Sequence, residues 1–210
     1  LLLSFSGMSL FDAINHSFAT IATGGFSTKN QSIASFQNST IEGIIMFFMV
    51  LSGIHFGLIF ATFQGKKQNL FKSAVVRYYL GGILIGIILI TLKIHFSSPS
   101  YTWTESLRYA SFQVISLGTT TGFATVDTAA WPAFTKMILI FFTLQCACAG
   151  STSGGIKSDR VMILWHAIRQ QIKKMQHPNA ILQVKIDNRT ISDELIQNTV
   201  TFIGFYLLIT

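Results

Sequence analysis

Two short segments concentrate threonine and glycine in an otherwise apolar chain: Ala-Thr-Gly-Gly-Phe-Ser-Thr at 22–28 and Thr-Thr-Thr-Gly-Phe-Ala-Thr at 119–125. Neither carries a charge, so what they offer a ligand is neutral oxygen from backbone carbonyls and hydroxyls. Gly25 and Gly122 can take backbone angles closed to other residues, letting successive carbonyls face one side. A ring of such carbonyls can replace the water shell of a permeating ion. Oxygens without a full charge suit a weakly hydrated monovalent cation; Ca²⁺ and Mg²⁺ call for carboxylates. The competing reading is a pair of plain re-entrant turns, and the presence of two matched copies favours a pore lining.

The copies sit inside a longer repeat. Residues 9–28 laid on 106–125, an offset of 97, match at seven positions: Ser9, Leu10, Ala13, Thr23, Gly25, Phe26 and Thr28 meet Ser106, Leu107, Ala110, Thr120, Gly122, Phe123 and Thr125. Each copy follows an apolar run and precedes a full apolar helix, so the unit reads helix, half-helix, polar loop, helix. Such a period in a membrane chain indicates pseudo-symmetric repeats around a shared axis. The elements that must position the loops are helix-like stretches at 9–20 and 105–117. They are too short to cross a bilayer and hold polar residues (Asn15, His16, Ser111, Gln113) that lipid would not tolerate. Half-span helices buried among other helices satisfy both conditions. Each aims its C-terminal, negative end at the loop, which favours a cation.

A third polar stretch, Cys-Ala-Gly-Ser-Thr-Ser-Gly-Gly-Ile-Lys-Ser at 148–158, mimics a phosphate-binding loop. Gly150 and Gly155 have the spacing, but Ile156 stands where lysine is needed and Lys157 comes one position late. Read in place, three glycines and three hydroxyl residues at 150–155 interrupt a helix that begins near 133 and resumes around 159–170. Breaks at membrane depth need a protein or water environment and often mark moving parts. Lys157 reads equally as an electrostatic barrier to cations or as a headgroup anchor. Cys146 and Cys148 form a CxC pair without a nearby histidine or carboxylate, which reads as packing. The pairs Gly53/Gly57 and Gly82/Gly86 read as close helix contacts. His55 reads as a packing or hydrogen-bonding residue ahead of a proton relay.

Composition sets the solvent for all of this. Of 210 residues 11% are charged, against roughly 25% in a soluble domain, and 50% are hydrophobic, with 19 Phe. Mean hydropathy is +0.52. Too few charges remain to coat a globule, so the fold class is an all-α integral membrane protein, not a disordered or disulfide-rich secreted chain. Spans are expected at 41–63, at 74–94, from 133 to 149, and from 200 onward. Of 15 Lys and Arg, 11 fall in or beside the 64–72 and 166–198 connections, which the positive-inside rule makes cytoplasmic. The net charge of +7 is therefore a topology signal and not a nucleic-acid footprint. Within 166–198 a short hairpin is expected around Asp187-Asn188, either structural or a docking surface, with Ser192 capping the last helix. The start without Met and the stop inside an apolar run suggest the middle of a longer protein.

Residues 22–28, 119–127 and 149–157, with His177-Pro-Asn-Ala180, resemble the TrkH/KtrB/HKT superfamily, and are most similar to its bacterial TrkH-type potassium uptake subunits. The resemblance covers nearly the whole chain. It implies four helix–pore-loop–helix units around one potassium path, with about two of the four here. Residues 1–63 would be the second unit, 64–165 the third, 166–198 a cytoplasmic connection and 199–210 the start of the fourth. It implies filter oxygens from Ala22, Thr23, Gly24 and Gly25 and from Thr119, Thr120, Thr121 and Gly122, with K⁺ at Thr23, Gly24, Thr120 and Thr121. Gly150, Ser151, Thr152, Ser153, Gly154 and Gly155, followed by Lys157, would form an intramembrane gating loop. The implied protein is no enzyme and holds no covalently bound cofactor, K⁺ being the transported ion. It would be a homodimer in the lipid bilayer of the cytoplasmic (inner) membrane, served by a cytosolic nucleotide-binding regulatory subunit of the TrkA/KtrA type. The runner-up is an ion-coupled secondary transporter using broken helices.

Overall fold

The computed structural model describes residues 1–65, 70, 72–97, 101–176, 183–187 and 189–210. Lys66 and Lys67 of the positive cluster, the 177–180 motif and Asn188 of the hairpin turn lie outside the described residues, as do the side chains of Cys146 and Arg189.

After a single turn, α1 (Leu2–Phe5), the first half-helix α2 spans Leu10–Ile21. It starts where Ser9 Oγ accepts the Asp12 N–H at 3.1 Å, an N-cap that satisfies one of the free amides of the first turn. The second half-helix, α6 (Trp103–Gly118), begins two residues earlier than the sequence pattern suggested. Thr102 and Glu105 form a reciprocal capping box there. The local signal was present in Thr102-Trp-Thr-Glu105.

Among the described residues, α5 (Ala74–Ser97) is the one unbroken helix long and apolar enough to cross a membrane. Its Gly86 lets the Phe142 ring approach so closely that a methyl group would collide with it. Gly82 meets nothing, so the second GxxxG pair makes one close contact, not two.

The helix expected at 41–63 is two helices, α3 (Ser39–Ser52) and α4 (Phe56–Phe63), bent by 96°. The backbone groups freed at the bend are paired with a distant segment. Cys148 N–H donates to the Gly53 carbonyl at 3.0 Å, and Phe56 N–H donates to the Gly150 carbonyl at 3.2 Å. His55 Nδ1 accepts the Gly57 N–H at 2.9 Å and caps α4. A methyl group at Gly53 would strike the Tyr79 hydroxyl. The Gly53/Gly57 pair is thus a bend and not a continuous helix face.

The next apolar helix, α7 (Ala133–Leu144), also stops early, short of the expected 149. Gln145–Cys146 (β1) turns extended and pairs in parallel with Ile156–Lys157 (β2), pinching the break closed before α8 (Ser158–Gln176). The hairpin follows, Lys185–Ile186 (β3) against Arg189–Thr190 (β4), antiparallel. Its Asp187 carboxylate accepts the Ala74 N–H at 2.9 Å and so occupies the N-terminus of α5. Helix α9 (Asp193–Ile209) starts from the expected cap, Ser192 Oγ accepting the Leu195 N–H at 3.3 Å.

The core joins α3, α5 and α6 through fully buried Ile41, Ile45, Met49, Val76, Ile90, Phe112 and Val114, with Leu139 and Phe142 of α7 buried against them. The outward faces are also apolar: Phe47, Leu84, Ile85, Ile88, Phe141 and Phe205 are all exposed. A surface of that kind needs lipid or further helices as its neighbour.

Candidate functional site

The two Thr/Gly loops share one backbone. Each half-helix ends in a Schellman turn. Gly24 N–H reaches the Ala19 carbonyl (2.8 Å) and Thr23 N–H reaches Thr20 (3.2 Å); Thr121 N–H reaches Ser116 (2.9 Å) and Thr120 N–H reaches Leu117 (2.9 Å). The residue after each cap is left-handed, Thr23 at φ 50° and Thr120 at φ 56°. Two residues on, Gly25 (φ 66°) and Gly122 (φ 85°) are left-handed again. The four positions obey the same offset as the sequence repeat. Glycine adopts this conformation freely, whereas a β-branched threonine there costs about 1–2 kcal/mol. Gly25 is required a second time, because a methyl group would collide with the Thr121 carbonyl oxygen of the other loop.

Side chains then decide what remains free. In the second loop, Thr119 Oγ1 donates to the Ile115 carbonyl (2.8 Å) and shares a bond with Thr121 Oγ1 (2.8 Å), while Ser116 Oγ donates to the Phe123 carbonyl (2.7 Å). Thr119 and Thr121 are buried. These hydroxyls turn back into the protein. In the first loop, fully buried His16 places Nδ1 2.7 Å from the Asp12 carbonyl and Nε2 2.8 Å from Ser27 Oγ. The Asp12 carboxylate accepts the hydroxyls of Ser9 (2.8 Å) and Thr28 (2.5 Å) and faces Lys29 Nζ at 3.5 Å. Among the described residues, no hydrogen bond ends on the carbonyls of Thr23, Gly24, Thr120 or Thr121. Partly negative oxygens near two helix C-termini, held by rigid turns, can accept hydrogen bonds or coordinate a cation.

The glycine-rich break lies directly against both loops. Gly150 (φ 75°) and Gly155 (φ 66°) turn the chain in and out. Side-chain space at Gly150 is filled by the His55 ring, 2.6 Å from where a methyl carbon would sit. Thr152 Oγ1 donates to the Ile21 carbonyl (2.9 Å), and Thr23 Oγ1 donates to the Thr152 carbonyl (3.0 Å). Gly154 N–H donates to Thr120 Oγ1 (2.9 Å). Ser151 Oγ and buried Ser153 Oγ share a bond (2.7 Å), and Asp159 anchors the incoming strand by accepting the Ala149 N–H (2.5 Å). Lys157 Nζ donates to the Ser151 carbonyl at 3.2 Å, so its charged end is turned toward the segment.

The residues expected to form the filter and the gating loop thus come together in one place: 22–25, 119–122 and 150–155 with Lys157. Sequence reasoning missed Ile21, Asp159 and the Ser52 carbonyl, which accepts from Thr152 Oγ1 at 3.4 Å; it read His55 as a packing or hydrogen-bonding residue, the role the contacts with Gly57 and Gly150 give it. It also missed a bidentate ion pair between α3 and α6, Arg108 Nε to Glu42 Oε2 (2.6 Å) and Arg108 Nη2 to Glu42 Oε1 (2.8 Å). Glu42 is 2% exposed. An acid at the edge of an apolar run and a lone arginine in a half-helix were the available signals.

The comparisons with known proteins agree on one family. The profile of TrkH, described as a cation transport protein, matches residues 4–210. The Trk system potassium uptake protein TrkH of Escherichia coli strain K12 is 36% identical over 210 residues, covering 100% of this chain and 44% of its own length. The Trk system potassium uptake protein TrkG of the same strain is 34% identical over 206 residues, covering 98% and 42%. The crystal structure of the potassium transporter TrkH from Vibrio parahaemolyticus aligns with a TM-score of 0.90 at 31% identity, covering 97% of this chain and 44% of that one. The chain spans less than half the length of these relatives. On the profile match over almost every residue, this chain belongs to the TrkH cation transport protein family.

Proposed function

We propose that the protein of which this chain is part takes up potassium across the cytoplasmic membrane through a carbonyl-lined filter gated by the 150–155 segment. The observation that carries this reading is the duplicated left-handed backbone at Thr23/Gly25 and Thr120/Gly122, with carbonyls at Thr23, Gly24, Thr120 and Thr121 that accept no hydrogen bond among the described residues. The names of the relatives, potassium uptake proteins and a potassium transporter, supply the ion. Residues 1–63 and 64–165 are then the second and third of four units, 166–198 a cytoplasmic connection and 199–210 the opening of the fourth. Ala22–Gly25 and Thr119–Gly122 contribute two of the four filter strands. The protein transports and does not catalyse a reaction. Its assembly is a homodimer with a cytosolic nucleotide-binding regulator of the TrkA/KtrA type, for which the 166–198 connection is the available face.

The break acts as a gate because it is held under both loops by only a few hydrogen bonds, and hydrogen bonds of this kind contribute about 0.5–1.5 kcal/mol each. Lys157 adds a positive charge beside the path. Deleting 151–155 from the full-length protein is expected to raise K⁺ flux in ion-replacement measurements. Unchanged or lost flux in a folded variant refutes the gate. Gly122→Ser is expected to weaken the preference for K⁺ over Na⁺, and an unaltered preference removes the 119–122 carbonyls from ion selection.

A further inference from the structure

We infer that the hydroxyls of Thr23 and Thr120 are the latches of the glycine-rich segment, so that the closed state is set from the ends of the two half-helices. The starting observation is a conformational misfit repeated at the same offset. Glycine is the usual left-handed residue that follows a helix cap, since it has no Cβ to clash. Both half-helices of this chain instead place a β-branched threonine there, at φ 50° and φ 56°. The backbone alone gives no reason for threonine at either position; the side chain does.

Both hydroxyls reach the same segment. Thr23 Oγ1 shares its one proton between the Thr152 carbonyl at 3.0 Å and the neighbouring Ala22 carbonyl at 2.8 Å. Thr120 Oγ1 accepts the Gly154 N–H at 2.9 Å. The grips fall on residues 152 and 154, one on each side of Ser153, which is 5% exposed. Thr152 returns the contact by donating to the Ile21 carbonyl, the last of α2, at 2.9 Å. That carbonyl belongs to the negative end of the half-helix, so while the segment is in place its hydroxyl occupies one of the free carbonyls of the last turn. Thr23 and Thr120 are therefore positioning residues. They hold the segment through their side chains while their own carbonyls accept no hydrogen bond among the described residues.

The inference rests on the proposed gate, and its test reads the segment itself and not the ion. In the full-length protein, with Cys146 and Cys148 changed to Ala, Ser153→Cys reports opening through its rate of modification by a water-soluble maleimide. Gly154→Cys serves as a second reporter if the first does not fold. Thr23→Gly and Thr120→Gly keep or improve the left-handed turn while deleting the hydroxyl. Each is expected to raise the labelling rate about fivefold, the equivalent of one hydrogen bond. The double variant is expected to exceed either single one. Thr→Ser at each position keeps the hydroxyl and is expected to bring labelling back toward the starting rate. Thermal stability of the glycine variants should hold or rise, which a merely structural role for these threonines would not allow.

Unchanged labelling in both glycine variants overturns the latch, as does equal labelling of the serine and glycine variants. Labelling that responds as described in a protein showing no K⁺ flux supports the latch and overturns the potassium reading instead.

Discussion

In the first half-helix and loop, the polar residues that fix the chain lie on the far limb of the loop: Asp12 gathers Ser9, Thr28 and Lys29, and His16 holds Ser27. In the second, the fixing is neutral: Thr119 with Thr121 and Ser116 with the Phe123 carbonyl close to the glycine, and on the far limb only the long contact of Gln113 with the Val126 carbonyl at 3.4 Å among the described residues. The repeat offset sets His16 on Gln113 and Asp12 on Tyr109. Two unlike networks therefore hold one backbone, left-handed at the same two positions in each copy. What is common to both is the turn, the half-helix C-terminus and a threonine reaching the glycine-rich segment. The supporting side chains are free to differ because each has only to satisfy its own buried polar groups.

The difference between the copies is sharpest at their glycines. At Gly25 a methyl group meets both the left-handed penalty of about 1–2 kcal/mol and the Thr121 carbonyl, an overpacking contact of about 1–3 kcal/mol more. At Gly122 nothing lies within 4 Å, so the conformational penalty stands alone. Gly25→Ala is accordingly expected to lower the melting temperature of the detergent-solubilised protein well beyond Gly122→Ala. Equal losses would mean that the two loops do not touch as described.

Next in size is the contact that ties the copies to each other. Glu42 follows the first loop and Arg108 belongs to the second half-helix; their ion pair is bidentate, with side-chain exposures of 3% and 33%. Breaking a buried pair costs about 3–5 kcal/mol, and the partial exposure of Arg108 puts Glu42→Gln at or below about 3 kcal/mol. Arg108→Lys keeps the charge but loses the fork, and should recover part of that stability. Thermal unfolding of the two variants separates charge from geometry. No recovery with lysine would show that the planar guanidinium carries the contact.

Below this comes Asp12→Ala, which leaves the Ser9 and Thr28 hydroxyls and Lys29 without their acceptor. It should loosen residues 27–29, seen as faster amide exchange there, with no change at 124–126. Exchange rising equally in both loops would contradict independent anchoring.

Features that depend on near neighbours in the chain were legible in the sequence. Ser192 announced a helix start because a cap needs only its own first turn; Ser9 and Thr102 with Glu105 carry the same local signal, which the expected start at 105 had not used. The polar residues of 9–20 and 105–117 marked half-helices, because lipid excludes them whatever the rest of the chain does. The bend at 53–55 was not legible. An apolar run of sufficient length reads as one helix, and its interruption depends on the Cys148 amide and the Gly150 carbonyl arriving from a distant segment. The end of α7 at Leu144 was lost for the same reason: residues 145–149 look helical alone but spend their backbone groups on β2, Gly53 and Asp159. The candidate site divides along that line. The glycines and threonines declared themselves by type and repetition. The left-handed state of Thr23 and Thr120 did not, since propensity argues against a β-branched residue at the left-handed position of a Schellman turn.

The smallest expected effect is also the most specific to the difference between the copies. Ser106 and Thr125 stand at the positions of Ser9 and Thr28, but Tyr109 replaces the carboxylate between them. Both hydroxyls are buried without a hydrogen-bond partner among the described residues. A buried polar group with no partner costs stability, so removing it should cost little or give some back. Ser106→Ala and Thr125→Val are expected to shift stability by within about 1 kcal/mol, toward the stabilising side. Ser9→Ala and Thr28→Val, which strip donors from Asp12, should destabilise. Paired melting curves for the four variants decide the matter. A clear loss in the Ser106 and Thr125 variants would show that an ordered water or a neighbouring unit of the full protein satisfies them, and that these hydroxyls anchor the second copy as Ser9 and Thr28 anchor the first.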